Sequence, residues 1–292
     1  MKSIYCIAAL VSAAWCLPKA PTPALVHLAK RTDPPLLVFD PSDEDAVTKR
    51  DALQAAFSDV YQLAATAVIF ADTMRDIYRK YFPEDWIPEV IKVYQRIISD
   101  QDVTVGDPVL SRFLIANVDR NAGTDNDLCA EGADGYTDNE VTDTVPPYEY
   151  AQAYFCDRTF NEVFDADESG PVPRITDLTC ESFKFDGRYK VTDEMDFIGS
   201  TIFHEIMHFN LVSSAAFSTT PITELGPGND YIFDREDGYG PKSVRDLFVN
   251  NPDLTRTNAD SYTWAAMEVL FSVLCAGPLI DQGGRFDPPT ED

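Results

Sequence analysis

Between Asp51 and Tyr81 the apolar positions, among them Leu53, Phe57, Val60, Leu63, Ala64, Val68 and Ile77, recur at steps of three and four, which predicts one long amphipathic helix. Pro83 and the turn at Glu84-Asp85 end it, and Ile87–Ile98 reads as a second helix. The run RFLIANVD (112–119) predicts a buried strand, and YEYAQAYFC (148–156) a strand with alternating faces. The polar, Gly- and Asp-rich stretch between them, 121–144, predicts a loop or irregular hairpin. In DEMDFIGSTIFHEIMHF (193–209), Ile198, Ile202, Phe203, Ile206 and Met207 form a helical stripe. Asp193, Glu194 and Asp196 suit the helix start, with Thr192 as a cap. A polar, proline-bearing loop over 213–240 precedes two further helices, Pro241–Val249 and about Asn258–Leu274, with Trp264 and Phe271 as core residues. The expected fold class is α+β, with helical N- and C-terminal parts around a small sheet.

The first residues add a compartment. Lys2 precedes an apolar run from Ile4 to Trp15 with small residues at 12–14, which predicts a signal peptide over residues 1–20 and a secreted protein. No later apolar stretch approaches the roughly 18 residues of a membrane span. Residues 21–50, rich in proline and charge, resemble a pro-segment with dibasic processing sites at Lys30-Arg31 and Lys49-Arg50, leaving one catalytic domain over 51–292. Cys6 and Cys16 fall in or beside the leader. Cys129, Cys156, Cys180 and Cys275 remain, an even set expected to form two disulfides with three possible connectivities. Six of the 23 basic and five of the 49 acidic residues lie in 1–50, so the mature chain keeps 17 and 44, a formal charge of −27. That surface argues against nucleic-acid and anionic-membrane partners, which need clustered Lys and Arg. Protein or peptide substrates and a monomeric state are expected.

Candidate chemistry sits in the helix at His204-Glu205-Ile206-Met207-His208, the HExxH pattern. Four residues exceed one helical turn only slightly, so both imidazoles project from one face and can share a metal ion, with Glu205 beside a bound water. Zinc in such a site polarises a carbonyl, and a glutamate there moves the proton from water to the leaving amine, a division of labour suited to peptide hydrolysis. The chain has three histidines, and His27 lies in the expected pro-segment, so a three-histidine site is excluded for the mature chain. The third ligand is then expected to be a carboxylate: Glu224, Asp230, Asp234, Glu236 or Asp237 in the loop, or Glu268 on the last helix.

HEIMH, a carboxylate-bearing loop ending in GYGP (238–241), and NADSY (258–262) together resemble the fungal aspzincins, which include deuterolysin and the peptidyl-Lys metalloendopeptidases. The resemblance spans about Cys180 to Cys275. It implies a zincin-like α+β fold, a secreted proenzyme, one zinc and endopeptidase activity. It also implies disulfides Cys129–Cys156 and Cys180–Cys275, the second tying the segment before the active-site helix to the end of the last helix. The family places an Asp ligand three residues before the tyrosine of the YG pair. Here Glu236 stands three before Tyr239, and an alternative alignment puts Glu224 of Ile-Thr-Glu in the ligand position with 225–237 inserted. Glu224 is the preferred ligand, since Leu-Gly-Pro-Gly after it forms a turn, whereas Glu236 lies in a charge run that reads as a solvated loop. By the same resemblance Tyr239 hydrogen-bonds the oxyanion. Asp260 either orients a ligating histidine or caps the last helix. Two other readings stand beside this one: a thermolysin-like site using Glu268, and a secreted binding protein on a decayed protease domain.

Overall fold

The computed structural model describes residues 36–38, 44–98, 109–116, 119, 121–125, 127–139, 151–165, 168–217 and 231–289. The leader, Lys30-Arg31 and Glu224 lie outside the described residues. The long N-terminal helix, α1, runs from Glu44 to Ile69. It starts earlier than its apolar pattern predicts and stops sooner, before a separate turn of helix, α2 (Arg75–Tyr78). The break has a local cause: the buried Tyr78 hydroxyl donates to the Ala67 carbonyl at 2.7 Å, satisfying a helix-end acceptor that continued helix would have used. The dibasic pair Lys49-Arg50 lies inside α1. Lys49 Nζ sits 2.6 Å from Asp157 and over the Phe160 ring.

α3 (Ile87–Ile97) follows with Pro88 in its first turn, where a missing N–H costs nothing. The remaining helices are α4 (Ile198–Met207), α5 (Asn210–Phe217), α6 (Gly240–Asn250) and α7 (Ala259–Leu274). α4 begins five residues later than its acidic start predicts. Thr192 instead caps a short 3-10 turn over Asp193–Met195, and the Ser200 hydroxyl accepts from the Phe197 N–H at the true helix start.

Four strands make the main sheet: β1 (Leu36–Val38), β2 (Phe113–Ala116), β3 (Gly135–Asp138) and β4 (Ala151–Phe155), in the order β1-β2-β4-β3. β1, β2 and β4 are parallel. β3 pairs antiparallel with β4, with Gly135 opposite Phe155 and Asp138 opposite Gln152. β1 falls within the expected pro-segment, so a chain beginning at Asp51 would lack this strand and the first turns of α1. Two short hairpins complete the strands among the described residues, β5 (Asn161–Asp165) with β6 (Glu168–Pro171) and β7 (Lys184–Phe185) with β8 (Arg188–Tyr189). Alternation in β2 and β4 buries Phe113, Ile115, Ala151, Ala153 and Phe155 on one face. α+β is therefore the observed class.

The core joins α1 (Leu53, Phe57, Val60), α4 (Ile202, Phe203, Ile206) and α7. α7 is buried from Ala259 to Ser272, including Trp264 and Phe271, as expected of a helix apolar on all sides. Each large apolar side chain there contributes about 1.5–3 kcal/mol by leaving water. The disulfides are Cys129–Cys156 and Cys180–Cys275, the connectivity that the family resemblance implied, and the second ties the segment before α4 to the end of α7.

Glu268, in the third turn of this helix, has no exposed surface. Its carboxylate accepts from Lys80 Nζ (2.5 Å), the Tyr81 hydroxyl (2.8 Å) and Arg245 Nη2, whose guanidinium lies 4.5 Å over the Tyr81 ring. Glu268→Ala leaves Arg245, its side chain only 14% exposed, without its counter-charge. The expected loss is about 3–5 kcal/mol, on the order of 10 °C in melting temperature for a chain of this size. Calorimetry of the purified variant reads this directly, and a shift under about 2 °C would show that the cluster adds no net stability.

Candidate metal centre

The HExxH residues lie at the C-terminal end of α4, with His204 and Glu205 in its last turn and His208 as the residue that closes it. Three ligand atoms converge there. His204 Nε2 and His208 Nε2 are 3.3 Å apart, and Asp234 Oδ1 lies 2.9 Å from the first and 3.2 Å from the second. Ligands at about 2.0–2.1 Å in tetrahedral array around one zinc stand about 3.3 Å from each other, so the triangle is close to the size such an ion requires.

The other ring nitrogens are already engaged. His204 Nδ1 is 2.6 Å from Asp260 Oδ1, and His208 Nδ1 is 3.2 Å from the Ile232 carbonyl. Both partners are acceptors, so both rings carry the proton on Nδ1 when neutral, and both Nε2 lone pairs point at the shared position. In the metal-free protein, burial opposes the imidazolium form of His204, but the Asp260 and Asp234 carboxylates outweigh it and hold the pKa well above its ordinary value. His208 is raised in the same way, chiefly through Asp234 acting against burial. Burial likewise opposes the charged Asp234, yet the two histidines hold it far below the usual carboxylate range. A donor set of two imidazoles and one ionised carboxylate suits zinc. The Asp234 side chain stays 40% exposed, so the centre opens to solvent on that side.

Asp234 is fixed through its neighbours. The Phe233 N–H donates to the Thr257 carbonyl and the Phe233 carbonyl accepts from the Ala259 N–H, so this segment pairs with the start of α7. Arg235 stacks on Phe233 at 4.6 Å and reaches Leu254 O and Thr257 Oγ1. The chain then turns at Gly238 against Asn258, where any side chain would come within 2.9 Å of the Asn258 amide, and Asn258 Nδ2 donates to the Gly238 carbonyl. Asp260 at the head of α7 joins two parts of the site, accepting from His204 through Oδ1 and from the Gly240 N–H through Oδ2.

Glu205 is 4% exposed, and burial pushes its carboxyl above the ordinary range against the pull of His208 and His204. Tyr239 is half exposed, with its ring stacked 6.2 Å from that of His204. Partial burial and then the Asp234 carboxylate push its phenol up, so it remains an O–H donor at neutral pH. Among the described residues the carboxylate that meets both histidines is thus that of Asp234, five residues before Tyr239, which the sequence placed only among several loop candidates. Glu236 is exposed to solvent, two residues further on. Glu268, the ligand of the thermolysin-like alternative, is committed to Lys80, Tyr81 and Arg245 and does not belong to the cluster.

A second acidic group, Asp119, Asp127 and Cys129, has its atoms otherwise employed. Asp119 accepts from Tyr136 Oη, Asp127 from the Gly123 and Ala130 N–H groups, and Cys129 is in a disulfide. Among the described residues no helix is long and apolar enough to cross a membrane. No protein-family model matches the chain, and no curated protein matches it.

Proposed function

We propose that this protein is a secreted, zinc-dependent endopeptidase of aspzincin type. The observation that carries the reading is the convergence of His204 Nε2, His208 Nε2 and Asp234 Oδ1 on one point, with both Nδ1 positions held by acceptors. Zinc held by these three residues would supply a Lewis acid that polarises the scissile carbonyl and acidifies a water. Glu205 takes the proton from the attacking water as the new C–O bond forms. It returns that proton to the amide nitrogen as the C–N bond breaks, so one peptide bond and one water become a carboxylate and an amine. The Tyr239 hydroxyl donates to the oxygen on which negative charge develops. Asp260 keeps His204 in the tautomer that leaves Nε2 free.

The sheet supports a peptide substrate. β3 is the last strand in the order, has one sheet neighbour among the described residues, and runs beside Glu205, so an extended peptide added along this edge brings a backbone carbonyl towards the base. A mixed sheet with an antiparallel edge strand next to the HExxH helix agrees with a zincin-like fold. The intact Glu205, buried and oriented, favours an active enzyme over a decayed binding domain.

The purified secreted chain is expected to carry about one zinc, to hydrolyse casein, and to lose hydrolysis to a chelator and regain it with zinc. Full proteolysis by metal-free protein would sink the metal mechanism. A zinc-loaded chain inert towards casein and a mixed peptide library would favour the binding-protein reading.

A further inference from the structure

β3 lies in the stretch expected to be a loop or irregular hairpin, and with the residue that follows it, it supplies three positions to the site. Residues 135 and 137 share one side of the strand, because side chains alternate with period two, and Asn139 follows just past its end. Each meets the active-site helix. Gly135 comes so close that a side chain there would fall 3.3 Å from Glu205 Oε1 and 3.0 Å from the Tyr154 carbonyl. Asn139 bridges the break between α4 and α5, its Nδ2 donating to the His208 carbonyl at 2.7 Å and its Oδ1 accepting from the Asn210 N–H at 3.0 Å. These are the groups left unpaired where one helix ends and the next begins.

Thr137 lies between them. Its hydroxyl is 2.8 Å from Glu205 Oε2 and 3.0 Å from the Glu205 carbonyl. A hydroxyl has one proton, and the ionised oxygen at the shorter distance is the stronger acceptor. The glutamate side chain has three rotatable bonds, and a base acts only from a narrow range of positions, so an anchored Oε2 fixes where Oε1 stands. We propose that Thr137 is a positioning residue for Glu205, holding its carboxylate in the orientation from which it acts on water. This inference rests on the reading of Glu205 as general base.

The test compares wild type, Thr137→Val, which keeps the branched shape and removes the hydroxyl, and Thr137→Ser, which restores the hydroxyl, all as the secreted zinc-bound protein. Thr137→Val is expected to lower kcat by about 10- to 100-fold with KM within about twofold, and with bound zinc unchanged; Thr137→Ser recovers most of the loss. Turnover of Thr137→Val within twofold of wild type at full zinc occupancy, or equal losses in the Val and Ser variants, would overturn the proposal. If the valine variant fails to fold, Thr137→Ala against Thr137→Ser gives the same comparison. A wild type without turnover refutes the hydrolase reading alone, and the contact is then read in thermal unfolding. Thr137→Val should lower the melting temperature by about 3 °C, and by clearly less in a Glu205→Ala background, where only the bond to the residue-205 carbonyl remains to be lost. Equal losses in both backgrounds would overturn the contact itself.

Discussion

Glu205→Gln is expected to lower kcat by about 10²- to 10⁴-fold while the protein keeps its zinc. The substitution preserves shape, so Thr137 and the neighbouring core have no reason to move. What disappears is the basic oxygen. Glu205 lies 4% exposed and is the acidic residue of the HExxH helix turned into the same site as the two imidazoles, so no adjacent carboxylate on that helix can replace it. Asp234 is engaged by both histidines, and Asp260 by His204 and the Gly240 N–H. Initial rates on a fluorogenic peptide, with metal analysis of the same samples, measure the effect. Turnover within about tenfold of wild type at full zinc occupancy would require a different base.

Asp234→Ala is expected to weaken zinc binding by more than the roughly 10- to 100-fold typical of losing an outer hydrogen-bond partner, and to reduce hydrolysis with it. Two neutral imidazoles remain, without the only negative charge in the ligand triangle. Competition with a chromophoric chelator gives the affinities. Glu236→Ala should change affinity little, since Glu236 is exposed to solvent. Glu224→Ala in parallel decides between the sequence reading and the geometry. Unchanged affinity in Asp234→Ala with a large loss in Glu224→Ala would transfer the ligand role to Glu224.

The two histidines and Glu205 were legible in the sequence because the HExxH relation is local: helical pitch alone brings residues four apart onto one face. The same holds for α3 and α6, whose apolar spacing and proline in the first turn mark their positions, and for α7, which its run of apolar residues marks. β3 was legible only as part of a loop or irregular hairpin, because Gly-Tyr-Thr-Asp-Asn has no apolar face; its bounds are set by antiparallel pairing with β4 and by hydrogen bonds to a helix end distant in sequence.

By itself, then, the sequence determined the α+β class, the HExxH helix, the even set of cysteines and the expectation of a carboxylate as third ligand, because each follows from local periodicity, counting or the chemistry of a residue type. Only the tertiary structure shows which of the described loop carboxylates lies against the histidines. Asp234 and Glu236 lie in one charged loop and differ little in local character, and the choice is made by the pairing of Phe233 with the segment leading into α7 and by the turn at Gly238 against Asn258. It decided Glu268 in the same way, because a glutamate on an apolar helix becomes a ligand or a buried counter-ion according to whether Lys80 and Arg245 arrive from elsewhere in the chain. Such outcomes depend on contacts between residues far apart in sequence, which no local pattern encodes.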